Sequence, residues 1–152
     1  MMTKEERELI YKELCARLPY RTFVSTYSYQ FNEGSLELLT PELIKTYDRN
    51  ESLEIKPYLR PLSSITEEEA KYLFLLHNKD RKEREILKVF IDKDYIDFEI
   101  DDGCCSFERY TIWFEDVVAS IESLDWLNTK HFDYRGLIEK GLALEQLKEM
   151  YK

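Results

Sequence analysis

Along the first eighteen residues the apolar positions recur with the period of a helix. Tyr11, Leu14, Cys15 and Leu18 form a stripe, Thr3 and Glu6 stand three residues apart ahead of it, and Pro19 closes the segment. Thr-x-x-Glu is a capping box, in which hydroxyl and carboxylate each accept an otherwise unpaired backbone amide, so the pattern predicts a helix over 3–18. The pattern then changes character. The run RTFVSTYSYQF is rich in β-branched and aromatic residues and is followed by NEG and SLELL, which predicts a hairpin. TPELIKTYD fits a helix with Thr40 as N-cap and Pro41 at the first turn, and equally a third strand; both remain open for residues 40–56. IKPYLRPLSS is extended, and its two prolines withhold amide donors, which predicts an edge rather than a mid-sheet position.

A second capping box, Thr66 with Glu69, opens a predicted central helix with Ala70, Leu73, Phe74 and His77 on one face. HNKDRKERE is its charged end or a solvated connection. His77 on that face reads as a half-buried packing residue.

The clearest pattern runs from Ile86 to Ile112. A two-residue turn at Lys93-Asp94 sets Ile91 opposite Ile96, Val89 opposite Phe98 and Leu87 opposite Ile100, all on one face, with Lys88 opposite Glu99 on the other. Asp102-Gly103 is a hairpin signal; a tight turn there sets Cys105 opposite Ile100 and Phe107 opposite Phe98. The expectation is a three-stranded antiparallel meander with one wet side. WFEDVVASIESLDWL then reads as an amphipathic helix burying Trp113 or Phe114, Val117, Ile121 and Leu124. The fold class is α+β. The 152 residues suit a single domain, with two lobes over 1–77 and 86–152 as an option.

Composition narrows the setting. There is no run of eighteen apolar residues, and the charged start MMTKEEREL is unlike a signal peptide, so a cytoplasmic protein without a membrane anchor is expected. The three cysteines include one adjacent pair and no Cys-x-x-Cys, which points to reduced thiols and away from zinc. Net charge is −9 and unevenly placed: residues 92–152 carry 15 Asp/Glu against 7 Lys/Arg. That balance disfavours direct nucleic-acid binding, which needs cations for the phosphates, and permits a basic protein partner.

Candidate chemistry is sparse. No G-x-S-x-G, P-loop, GxGxxG or HExxH is present, and no cofactor or metal is expected. The acidic run holds Asp92, Asp94, Asp97, Glu99, Asp101 and Asp102, but counting from Asp92 it places Ile96, Asp97 and Gly103 where a calcium loop needs an oxygen ligand, glycine and glutamate. These six residues read first as a solvated strand face and second as a docking surface for a basic partner. Alternate residues along a strand lie ~6.8 Å apart, which also permits mimicry of DNA phosphates. The other constellation is Asn128, His131, Asp133 and Arg135, in which His131 and Asp133 are the weak catalytic candidates. A structural reading competes: Asp133 as N-cap, Phe132 and Leu137 as a hydrophobic staple, Gly141 as the stop, and Leu142 closing on Leu137 describe a short helix over 134–140.

Three blocks carry a resemblance: ELCARLPY (13–20), EIKPYLRPLSSITEEE (54–69) and DWLNTKHFDYRGLIEKGLALE (125–145). They resemble segments of an uncharacterised family of short acidic proteins found in Bacteroidetes genomes and their phages or mobile elements. Lys130 stands where many members have His, and the ending QLKEMYK departs from theirs. The resemblance implies a host or phage setting and no activity. The function expected is a non-enzymatic intracellular binding protein whose acidic C-terminal half meets a protein partner, such as a basic nucleic-acid-handling enzyme. The alternatives are a metal-dependent hydrolase or nuclease using His131 and nearby carboxylates, and an oligomeric structural protein of a phage particle.

Overall fold

A computed structural model describes residues 1–79, 85–101, 103–104 and 106–151. Its fold is α+β and its chain forms two compact units: Met1–Arg60 with Asn128–Lys152, and Pro61–Leu127. The central helix therefore belongs with the meander.

In the first unit, α1 (Lys4–Arg17) starts at the predicted capping box: the Glu6 amide donates to the Thr3 hydroxyl and the Thr3 amide to the Glu6 carboxylate. Its buried face is Ile10, Glu13, Leu14 and Arg17, so the expected stripe is corrected: Tyr11 and Cys15 are exposed. The hairpin β1 (Phe23–Ser28) and β2 (Glu33–Leu38) comes next, turning through 29–32 so that Glu33 and Gly34 already pair with β1. Residues 41–49 are a helix: α2 (Pro41–Arg49) starts where the Thr40 hydroxyl accepts the Leu43 amide. Arg7 ties α1 to α2 and to the chain beyond it, donating to the carbonyls of Tyr47 (2.6 Å) and Leu53 (2.7 Å).

β3 (Leu53–Leu59) contradicts the edge expectation drawn from its prolines. It pairs antiparallel with β1 on one side and parallel with a two-residue strand, Leu144–Glu145, on the other, giving a sheet ordered β2-β1-β3 and the C-terminal strand. The ladder tolerates Pro57 for a geometric reason. The Tyr29 amide bonds to the Ser52 carbonyl, so the hydrogen-bonded pairs fall at alternate positions, and Pro57 opposite Val24 is a non-bonded pair. On its other edge the parallel pairing begins only at Tyr58. No ladder bond is asked of the proline nitrogen. One core cluster joins α1, the sheet and the C-terminal segment: Ile10, Leu14, Val24, Ile55 and Leu59 with Leu137, Leu142 and Ala143.

In the second unit, α3 (Glu67–His77) begins at the Thr66–Glu69 capping box. The meander consists of β4 (Ile86–Ile91), β5 (Tyr95–Asp101) and β6 (Phe107–Trp113). The register Lys88–Glu99, Val89–Phe98 and Ile91–Ile96 is as predicted, but an irregularity between Ile86 and Lys88 sets Ile86, not Leu87, opposite Ile100. Leu87 turns outward and is exposed. The β5–β6 register differs more. Ile100 faces Glu108, Phe98 faces Tyr110 and Ile96 faces Ile112, a slip of three from the predicted pairing. An odd slip moves every β6 side chain to the opposite face, so Phe107 lies outside and Ile112 inside. The predicted partners Asp102 and Cys105 lie outside the described residues, as does most of the charged segment after Lys79. Phe74 of α3 covers the inner face, its ring 5.0 Å from Phe98 and 5.3 Å from Tyr110.

The predicted helix after β6 is shorter and later than its pattern suggests. β6 runs to Trp113, a tight turn covers Phe114–Asp116, and α4 spans only Ile121–Thr129, with Ser123 and Leu127 buried and Ile121 exposed. His77 is half-buried as expected; its Nε2 lies 2.7 Å from the Val117 carbonyl, and burial lowers its pKa. Among the described residues no helix is long and apolar enough to cross a membrane.

Candidate functional site

The acidic strand residues lie on and around the outer face of the meander. Asp97, Glu99 and Asp101 alternate along β5 with the fully buried Ile96, Phe98 and Ile100. Each carboxylate has local company. The Thr111 hydroxyl donates to Asp97, Lys88 and Arg109 stand directly opposite Glu99 on the two neighbouring strands, and the Gly103 amide donates to Asp101 (2.8 Å). At the other end Asp92 accepts the Lys93 amide, and the Asp94 carbonyl accepts the Phe114 amide. The sixth residue of the run, Asp102, is not among those described.

What the sequence pattern missed on this face is aromatic. Phe90 is paired with Asp97, Phe107 with Asp101, and Trp113 with Tyr95; the three rings are 52%, 53% and 48% exposed. The Tyr95 and Trp113 rings pack at 5.0 Å. Among the described residues the face thus carries the carboxylates of Asp92, Asp97, Glu99 and Asp101 and the cations Lys88 and Arg109 among half-exposed rings. It is an apolar surface with an acidic bias, less purely acidic than the sequence run suggests. The signal is present in the strict alternation of Phe107, Arg109, Thr111 and Trp113, but a tight turn at Asp102-Gly103 would put those residues on the wrong side.

The second constellation folds differently from either expectation. Residues 131–143 contain no helix and pass through successive turns, because Gly136 adopts φ +68 and Gly141 φ +71, and the first of these falls inside the proposed helix. The cap itself is real. The Asp133 carboxylate accepts the amides of Leu137 (2.9 Å) and Ile138 (2.8 Å), and the amides of Leu142 and Ala143 both return to the Leu137 carbonyl. Asp133 therefore organises a turn and not a helix start.

The neighbouring polar groups are engaged one by one. The Tyr134 hydroxyl donates to the Asn128 side chain, and Arg135 Nε lies 2.7 Å from Glu13 Oε2. Glu13 also holds the fully buried Arg17, Nε to Oε1 at 2.7 Å, and Arg17 Nη2 donates to the Phe132 carbonyl at 2.6 Å. The strand-like bridge of Arg60 with Phe132 is closed by the Arg60 amide on the His131 carbonyl and the Asp133 amide on the Arg60 carbonyl, both 2.8 Å. His131 has φ +60, is 7% exposed, and stacks on Tyr151 with ring centroids 3.5 Å apart. Burial, and then the Arg17 charge, push its pKa down to about 4. Its Nδ1 is buried with no hydrogen-bond partner among the described residues.

His131 and Asp133 are thus brought close in the chain but given separate tasks, one in a stack and one in a turn. Among the described residues no group of three His, Cys, Asp or Glu side chains is placed to hold a metal ion. Cys15 and Cys104 are exposed. Compared with protein-family models, curated proteins and solved structures, the chain matches none of them.

Proposed function

We propose that the protein is a non-enzymatic binding protein that presents the outer face of its meander to a basic protein partner. The observation that carries this reading is the grouping of half-exposed Phe90, Phe107 and Trp113 with Asp97, Glu99 and Asp101 on one sheet face. Aromatic anchors of this kind dominate interface energetics, and they attract Lys and Arg both by packing and through the ring quadrupole. The carboxylates beside them supply charge complementarity, which governs partner choice and encounter rate more than affinity. The acidic balance of residues 92–152, 15 Asp/Glu against 7 Lys/Arg, favours a partner with a basic surface, such as the phosphate-contacting surface of a nucleic-acid-handling enzyme.

The test compares capture from a Bacteroidetes lysate by the wild-type chain and by two surface variants, Asp97→Lys/Glu99→Lys and Phe90→Ser/Trp113→Ser. Both pairs are at least partly exposed, so the variants are expected to fold. A captured protein with a basic contact surface that is lost from both variants, and whose retention weakens with added salt, supports the reading. Equal capture by all three chains overturns it.

A further inference from the structure

The first unit contains a cleft of about 620 Å³ whose lining carries three cationic side chains, Arg21, Arg60 and Lys130, and no carboxylate among the described residues. In a chain of net charge −9 such a lining is against the average, and charges of one sign gathered at a concave surface focus attraction for the opposite sign. The volume lies within the range of small-molecule sites. One wall is built by His131 and Tyr151, stacked at 3.5 Å, and Tyr151 is fixed by its hydroxyl, which donates to the Tyr58 carbonyl at 2.8 Å and accepts the Phe23 amide at 2.9 Å. Two of the residues lining the cleft hold left-handed backbone conformations without being glycine: Arg21 at φ 55 and His131 at φ 60. Such conformations are retained where the surroundings over-determine them, and they cluster at ligand sites. His131 also brings a nine-tenths-buried imidazole whose Nδ1 lacks a partner among the described residues, an arrangement that a purely structural wall does not require.

We infer that this cleft binds a small organic phosphate, with Arg21, Arg60 and Lys130 around the phosphate and the ring of the ligand against the apolar side formed by Phe23 and Met150. Guanidinium groups match phosphate oxygens in a bidentate fork, and a lining rich in cations favours a phosphate monoester dianion over a singly charged carboxylate. The site lies in the unit that does not carry the meander, so it stands or falls independently of the partner surface.

The experiment is titration calorimetry on the full chain with phenyl phosphate, inorganic phosphate and benzoate, on wild type and on Arg21→Gln/Lys130→Gln. Both substituted side chains are exposed, and Lys12→Gln/Lys45→Gln, on α1 and α2 outside the cleft, removes the same two charges and controls for net charge. The expected result is phenyl phosphate binding below ~1 mM, tighter than inorganic phosphate, weakened about tenfold or more in the Arg21/Lys130 variant and unchanged in the Lys12/Lys45 control. His131 and Tyr151 ring signals in NMR are expected to shift on binding. Absence of phenyl phosphate binding up to ~10 mM, binding that the Arg21/Lys130 variant leaves intact, or benzoate binding as tightly as phenyl phosphate each overturns the assignment.

Discussion

Replacing Arg17 by Met isolates the least expected feature of the first unit, a charged pair sealed inside it. Arg17 and Glu13 are both fully buried and one helical turn apart on α1, and the guanidinium also donates to the Phe132 carbonyl and lies 4.7 Å over the Tyr134 ring. Arg17→Met keeps the volume and removes the charge. The Glu13 carboxylate is then left with Arg135 alone, whose side chain is 41% exposed, and the Phe132 carbonyl loses its donor. Breaking a buried pair from one side costs about 3–5 kcal/mol, so a loss of about 4 kcal/mol is expected. For a chain of this size that corresponds to a fall in Tm of roughly 8–16 °C. The partner variant Glu13→Leu is expected to cost about 3 kcal/mol, again because it strands the other charge. The double variant Glu13→Leu/Arg17→Met removes both charges at once and is expected to be more stable than the sum of the singles by about 2–3 kcal/mol. Urea unfolding followed by far-UV circular dichroism measures all three, provided the slope against urea stays constant. Single variants costing less than about 1 kcal/mol, or strictly additive effects, would refute the view that this pair is desolvated and coupled.

Three further outcomes rest on the same kind of contact. Asp133→Ala removes the acceptor for two amides in the turn after the Arg60 bridge and is expected to cost about 2–3 kcal/mol, read as a Tm shift. Thr66→Ala removes the capping box of α3 and is expected to cost about 1 kcal/mol, with Thr66→Ser close to wild type. For His131 the folded pKa, about 4, lies below the ordinary 6.5, so the unfolded chain takes up the proton first. Stability from the neutral, buried ring is therefore full above pH 6.5 and is lost as pH falls toward 4; screening at the open cleft reduces the amount to about 2 kcal/mol. The stability gap between wild type and His131→Gln is expected to move against wild type over that window, and the imidazole proton signals are expected to stay untitrated above about pH 5; titration near 6.5 would contradict the burial.

Local signals in the sequence translate well into local structure. Both capping boxes and the turn between β4 and β5 are legible because each depends on residues within four positions, whereas the Thr40-Pro41 signal leaves a strand open beside the helix that forms. The differences arise where distant chain decides. Nothing local tells that residues 144–145 return to pair with β3, so its prolines point to an edge that the fold does not leave open. The loop between β5 and β6 is five residues long, not two, and that odd difference exchanges the two faces of β6, hiding Phe107 and Trp113 as surface residues. Glu13 and Arg17 are absent from the apolar stripe read in the sequence because their burial depends on Phe132, Tyr134 and Arg135, more than a hundred residues away. Around Asp133 the capping chemistry is legible, while Gly136 at positive φ decides against the helix that the cap would begin.

The proposed partner surface is tested most directly by site-specific photo-crosslinking. A benzophenone side chain is placed singly at position 90, at position 113, and at position 31, where Phe31 is 67% exposed in the β1–β2 turn and serves as a still more accessible aromatic control. Adducts with one basic protein from positions 90 and 113, and none from position 31, are the predicted result. Adducts formed from position 31 as readily as from the meander, or from position 31 alone, would contradict the assignment of the outer sheet face as the docking surface.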